Sequence, residues 1–236
     1  MLQSPLGIPA SKWRQDEEIG IFSDSVGQFF EKECAPHVQD WRKAGVVPKD
    51  MWKKAGEMGI LCASVSEEYG GMGGDFRHEA IIAEQMGWKG IDGFGITLHN
   101  AIIAPYLETY GTKEQKEKYL PKMATGEIIT AIAMTEPGAG SDLQGMKTTA
   151  KKDGNGYVIN GSKTFISNGQ NANLILVCAK TDPTLGAKGI SIMLVETEGT
   201  EGFERGRNLE KIGQKAADTS ELFFNDVHVG SDAILG

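Results

Sequence analysis

Glu127-Ile128-Ile129-Thr130-Ala131-Ile132-Ala133-Met134-Thr135-Glu136-Pro137-Gly138-Ala139-Gly140-Ser141-Asp142 is where the chain changes grammar. Before it, apolar residues recur at helical spacing; from it onward they fall in short β-branched runs broken by turns. Ile128 to Met134 reads as a strand. Pro137 fixes a turn after it, and Gly138 and Gly140 leave the loop's backbone N–H groups approachable. Thr135 and Ser141 frame those amides with hydroxyls. Such a concavity suits an anionic or carbonyl-rich ligand, a pyrophosphate or the pyrimidine edge of a flavin. A surface turn capped by Ser141 and Asp142 is the plainer alternative.

Downstream, Lys147 to Lys152, Tyr157 to Asn160, Leu174 to Ala179, Ile190 to Val195 and Ser220 to Phe224 read as further strands, and Asp153-Gly154-Asn155-Gly156 as a hairpin turn. With no long helix among them, these strands predict a small antiparallel β-barrel or sandwich rather than a doubly wound sheet. Upstream, Asp16 to Val38 puts Ile19, Phe22, Val26, Phe29 and Phe30 on one helical face. Helices also follow Pro48, with Gly59 as the stop, and run over Asp75–Met86 and Thr97–Tyr110. Thr112 reads as the N-cap of a short helix that Pro121 helps to close. The expected fold class is α+β: an all-helical N-terminal domain over 1–125, then a β domain over 126–236.

Composition excludes several function classes. The 236 residues carry 24 Lys plus Arg against 32 Asp plus Glu, a formal charge of −8, which argues against nucleic acid as a partner. No apolar run approaches the roughly 20 residues needed for a membrane span. Cys34, Cys62 and Cys178 show no CxxC spacing and the four histidines lie far apart, so no metal site is predicted. The first residues lack signal or transit character, which places the expected location in the cytoplasm. Gly71-Met72-Gly73-Gly74 and Gly138-Ala139-Gly140 both miss the dinucleotide fingerprint. The Gly156 to Thr164 stretch has one residue too many for a phosphate loop and lies between strands.

Strings along nearly the whole chain resemble the acyl-CoA dehydrogenase family, particularly its long-chain members. They are Glu67-Glu68-Tyr69-Gly70-Gly71, Met134 to Asp142, Asn160-Gly161-Ser162-Lys163, Phe165-Ile166-Ser167-Asn168-Gly169, Gly206-Arg207, Lys211-Ile212-Gly213 and Asp218 to Phe224. The resemblance implies an FAD held between the β domain and a C-terminal helical bundle that these residues do not include. By position, Ile132, Ala133, Met134, Thr135, Glu136, Pro137, Gly138, Ala139, Gly140 and Ser141 would meet the flavin and its phosphates, with the Thr135 hydroxyl on the ring. Ser141 would also meet the substrate. Phe165, Ile166 and Ser167 form the family's second flavin segment, where many relatives have Trp and Thr; Phe keeps the packing and Ser keeps the donor.

The chemistry this implies is α,β-dehydrogenation of a saturated fatty acyl-CoA to the trans-2-enoyl-CoA, as in fatty acid β-oxidation. Electrons would pass to an electron-transfer flavoprotein, and the whole enzyme would be a homotetramer. The glutamate base is expected beyond Gly236, so no catalytic residue is assigned and the isolated chain is expected to be inactive. Glu136, held by its turn and followed by Pro137, is expected to be structural. Leu98, Ile102, Ile103 and Leu107 could line an acyl channel or pack as an ordinary core. Two other outcomes stay open: a non-catalytic form that binds acyl-CoA or a partner, and acyl-CoA oxidase-like chemistry.

Overall fold

The computed structural model describes residues 11–236. Asp16 accepts the Glu18 N–H and opens α1 (Glu17–Phe29), which continues through a π-turn at Phe30–Cys34 toward α2 (Val38–Ala44). After α3 (Lys49–Glu57), Asp75 and His78 form a capping box for α4 (Phe76–Trp88). Then come α5 (Ile96–Leu98), a second π-turn at His99–Ile103, and α6 (Ala104–Tyr110). Thr112 and Gln115 box the start of α7 (Lys113–Ala124).

Two stretches expected as continuous helices are therefore interrupted, and both interruptions precede a proline. Pro36 and Pro105 have no N–H to give the carbonyl four residues back, so the preceding turn widens. Pro121 does not close α7, which runs on to Ala124. Phe29, Phe30, Trp41, Trp52, Ile60 and Phe94 fill the helical core, with Trp52 and Phe94 edge to face at 5.0 Å.

The sheet comprises β1 (Thr130–Ala133), β2 (Thr149–Asp153), β3 (Gly156–Ser167), β4 (Leu174–Lys180), β5 (Ile190–Glu196), β6 (Phe203–Asn208) and β7 (Thr219–Gly230). The path is β1-β4-β2-β3-β7-β6, with β5 on the remaining edge of β4. It is a mixed sheet that curls into a half-barrel. The β2–β3, β3–β7, β4–β5 and β6–β7 pairs are antiparallel as expected, and Asp153 opposite Gly156 sets the two-residue hairpin turn.

The all-antiparallel expectation needs correction at β1, which runs parallel to β4, as β2 does where it touches β4. The chain passes through β2 and β3 before reaching β4, and a connection of that length can return in the same direction. β3 also continues seven residues beyond Asn160 through two register shifts. β6 was not foreseen: Phe203-Glu204-Arg205-Gly206-Arg207-Asn208 is too polar and glycine-broken to read as a strand.

β4 is buried on both faces. Ile175 and Val177 join Ala131, Ala133, Ile159, Ile166 and Leu222 inside the curl. Leu174 and Leu176 face the helices, meeting Ile103, Leu107, Leu120 and Met123. Of the residues considered for an acyl channel, Ile103 and Leu107 are thus core, Leu98 packs against that core, and Ile102 is exposed.

Candidate functional site

The corner after β1 is built from the inside out. Glu136 and Ala139 exchange backbone hydrogen bonds at 2.9 and 3.1 Å, closing a tight turn over Pro137 and Gly138. The Ala139 methyl drops into a small apolar cluster with Met146 and Cys178, on which Met134 also rests. Asp142 accepts the Gln144 N–H at 3.1 Å and starts the single helical turn that ends the loop.

Glu136 points inward. Its carboxylate accepts the Lys147 N–H at 2.6 Å, the Thr148 N–H at 2.9 Å and Lys163 Nζ at 2.9 Å. Burial pushes this carboxyl up, but those donors, led by the Lys147 amide, outweigh it and hold it below its ordinary value. Burial pulls the Lys163 ammonium down against the opposing pull of Glu136. Both side chains are sealed from solvent, and Lys163 Nζ also donates to the Met134 carbonyl at 3.0 Å.

The second segment follows from Lys163. Thr164 donates its N–H to the Thr135 carbonyl at 2.9 Å. Phe165 then adopts φ +59°, within the register shift between Lys163 and Ile166, and its ring stands 66% exposed. A β-strand aromatic in the left-handed region is strained, a state that recurs at functional sites. Ile166 turns into the core, Ser167 turns out, and Asn168 (φ +61°) donates from Nδ2 to the Thr130 carbonyl at 3.0 Å.

β1 and β3 are not ladder partners, yet three bonds tie β1 and the residues just after it to β3 and the residue just after that: Asn168 to Thr130, Lys163 to Met134 and Thr164 to Thr135. The structure thus brings Ile132–Ser141 and Phe165–Ser167 to one corner. Pro137, Gly138, Gly140, Ser141, Phe165 and Ser167 are exposed there and Thr135 is half-buried. The side chains of Ala133, Glu136, Ala139 and Ile166 are interior, so a ligand at this corner meets them through backbone atoms.

Local sequence pattern assigns no role to Lys163 or Asn168. A signal existed: Lys163 keeps the two-residue phase of buried Ile159, and a lysine on an inward face requires an acid, which Glu136 supplies. A separate cavity of about 640 Å³ lies in the helical part, between Ile21, Phe22, Val26, Met58, Met72 and His78. None of its lining residues belongs to the corner.

Residues 16–127 match the model of the acyl-CoA dehydrogenase N-terminal domain, and residues 131–227 that of the middle domain. The long-chain specific acyl-CoA dehydrogenase of Mus musculus mitochondria is 48% identical over 93% of the chain, which covers 51% of that protein. The chain spans about half the length of the curated relatives it matches. Among solved structures, an acyl-CoA dehydrogenase from Geobacillus kaustophilus is 52% identical with a TM-score of 0.90, covering 94% of this chain and 58% of that one. A glutaryl-CoA dehydrogenase from Mycobacterium smegmatis, solved in complex with FADH2, is 29% identical with a TM-score of 0.83 over 93% and 55% of the two chains. Helical region, mixed half-barrel and both domain matches agree that the chain belongs to the acyl-CoA dehydrogenase family.

Proposed function

We propose that this chain contributes the flavin-facing half of an FAD-dependent enzyme that oxidises a saturated fatty acyl-CoA to the trans-2-enoyl-CoA. The observation that carries this reading is the corner itself, where two segments 24 residues or more apart, Ile132–Ser141 and Phe165–Ser167, meet with Ser141, Phe165 and Ser167 exposed and Thr135 half-buried. Its glycines support the fit. A Cβ built on Gly138 or Gly140 meets nothing within 4 Å, and neither residue has a positive φ, so the protein's own packing requires glycine at neither position. Open space beside bare amides suits a ligand that approaches the backbone closely.

In this reading the loop amides and the Ser141 hydroxyl hold phosphate oxygens, and the Thr135 hydroxyl donates to the ring edge. Phe165 packs against the ring, and Ser167 offers a second donor. FAD would supply the hydride acceptor; the protein supplies orientation and fixed donors. The α proton needs a carboxylate base together with donors that stabilise the enolate oxygen. Glu136 is committed to Lys163 and two amides, so the base comes from outside this corner. Electrons leave to an electron-transfer flavoprotein, as the resemblance implies.

The test is optical. Intact protein should be yellow, and anaerobic addition of a long-chain acyl-CoA should bleach the flavin band. A colourless protein that still binds acyl-CoA would replace this reading with a binding role, and rapid peroxide formation in air would replace it with an oxidase.

A further inference from the structure

We propose that Lys163, through its ion pair with Glu136, is the positioning residue that presets this corner for the flavin. The inference rests on the flavin reading above and concerns how the corner is kept in shape. Neither side chain faces outward: both are sealed, Lys163 completely. A sealed charge is tolerable only while its partner is in place, so the pair admits one docking of the loop on β3.

The bonds around the pair convert that condition into geometry. Glu136 draws in the Lys147 and Thr148 amides, which fixes the return limb of the loop. Lys163 also takes the Met134 carbonyl, and Thr164 takes that of Thr135. Thr135 is therefore bonded through its own carbonyl and flanked on both sides by residues tied to Lys163. Phe165 follows directly on the same strand. The two groups assigned to the ring thus inherit their relative placement from one buried pair. Asn168, bonded to the Thr130 carbonyl, fixes the opposite end of the same junction. An apolar pair of similar volume would fill the space without specifying it.

A double-mutant cycle separates positioning from plain stability, because neutralising both members of a buried pair often leaves the fold intact. Glu136→Gln, Lys163→Met and the combined variant are compared in the intact protein. The readouts are FAD affinity by fluorescence, thermal midpoint, and KM for acyl-CoA at saturating FAD. The combined variant buries no charge, and its glutamine oxygen accepts from one of the Lys147 and Thr148 amides, which the carboxylate holds on two different oxygens. It should fold with a modestly lowered midpoint and bind FAD at least tenfold more weakly, with KM changed less than threefold. Recovery of both the midpoint and the FAD affinity to within twofold of the parent would overturn the proposal.

A second measurement needs no substitution. In flavin-free parent protein, hydrogen exchange should already be slow at the Lys147 and Thr148 amides and fast at Gly138, Gly140 and Ser141, which slow only when FAD is added. Protection of Lys147 and Thr148 appearing only with FAD would also overturn it. A parent that takes up no FAD would bring down the functional reading first, and this inference with it.

Discussion

His99 has no exposed surface and lies edge-on to Trp52 at 5.4 Å. The Met123 carbonyl, 3.2 Å from Nε2, only accepts, so Nε2 carries the hydrogen and Nδ1 accepts from the Thr130 hydroxyl at 2.8 Å. Burial pushes this imidazole from 6.5 down to about 4, only partly opposed by the Met123 carbonyl. The sign follows from linkage. Above pH 6.5 the ring is neutral in both states and costs nothing. Between pH 6.5 and 4 the unfolded chain takes the proton that the fold refuses, so stability falls as pH falls, by about 3 kcal/mol over the window. Urea unfolding at pH 7, 5.5 and 4.5 should show this loss in the parent and a flatter profile in His99→Gln. Glu79, whose carboxyl burial raises, contributes the opposite slope but does so in both proteins and cancels in the comparison. Equal profiles would show that His99 is not the acid-sensitive group. Neither His99 nor Lys163 disclosed its partner in the sequence. Thr130 lies 31 residues from His99 and Glu136 lies 27 from Lys163, distances over which local patterning carries no contact information.

Elements divide by how much of their character is local. The helices were legible because an apolar stripe and a capping residue suffice to mark one: Asp16, Asp75 and Thr112 all cap where a short polar residue precedes a periodic run. Strands were legible where β-branched runs are uninterrupted, as in β4 and β5. β3 was read only to Asn160 because Gly161 and Lys163 break its apolar pattern. Their reasons lie in other elements, Gly161 beneath Thr148 and Lys163 opposite Glu136. The parallel β1–β4 pairing was hidden likewise, since direction depends on the route of the intervening chain. The glycines of the corner follow the same division and give a paired prediction. A Cβ on Gly161 would lie 2.3 Å from Thr148 Oγ1 and 2.7 Å from its Cα, at φ +151°. Gly161→Ala should therefore lower stability by about 1–3 kcal/mol and disturb the outer half of β3. Gly138→Ala meets open space and should leave the thermal midpoint of flavin-free protein unchanged while weakening FAD binding. Differential scanning fluorimetry with and without FAD distinguishes the two. An unchanged FAD affinity in Gly138→Ala would mean that no ligand lies against that amide.

At the scale of the whole molecule, the helical part and the sheet share a core. Ile103, Ala104, Leu107, Leu120 and Met123 pack directly on Leu174, Leu176 and Leu194. Polar ties reinforce the contact. Asn171 Nδ2 donates to the Val47 carbonyl at 2.6 Å, and Gln115 Nε2 donates to the carbonyls of Asp232 and Ile234 at 2.8 and 2.6 Å. A boundary near residue 125 divides the chain by element type, but the packing around β4 predicts one cooperative unit. Leu176 is the sharpest probe, because it is fully buried and its strand carries the other core on its opposite face. Leu176→Ala should cost about 2–5 kcal/mol. All four tryptophans, at 13, 41, 52 and 88, lie in the helical part, so their fluorescence reports on the half that lacks the substitution. If the halves unfold together, the fluorescence transition and the hydrogen exchange of β4 and β5 amides should move to the same lower urea concentration. An indole transition that stays in place while the sheet alone is destabilised would show two independent units. The flavin corner would then depend chiefly on the sheet, because the bonds that fix Thr135 come from β3 and the loop between β1 and β2, while Asn168, just past β3, also reaches the Gly95 carbonyl of the helical part.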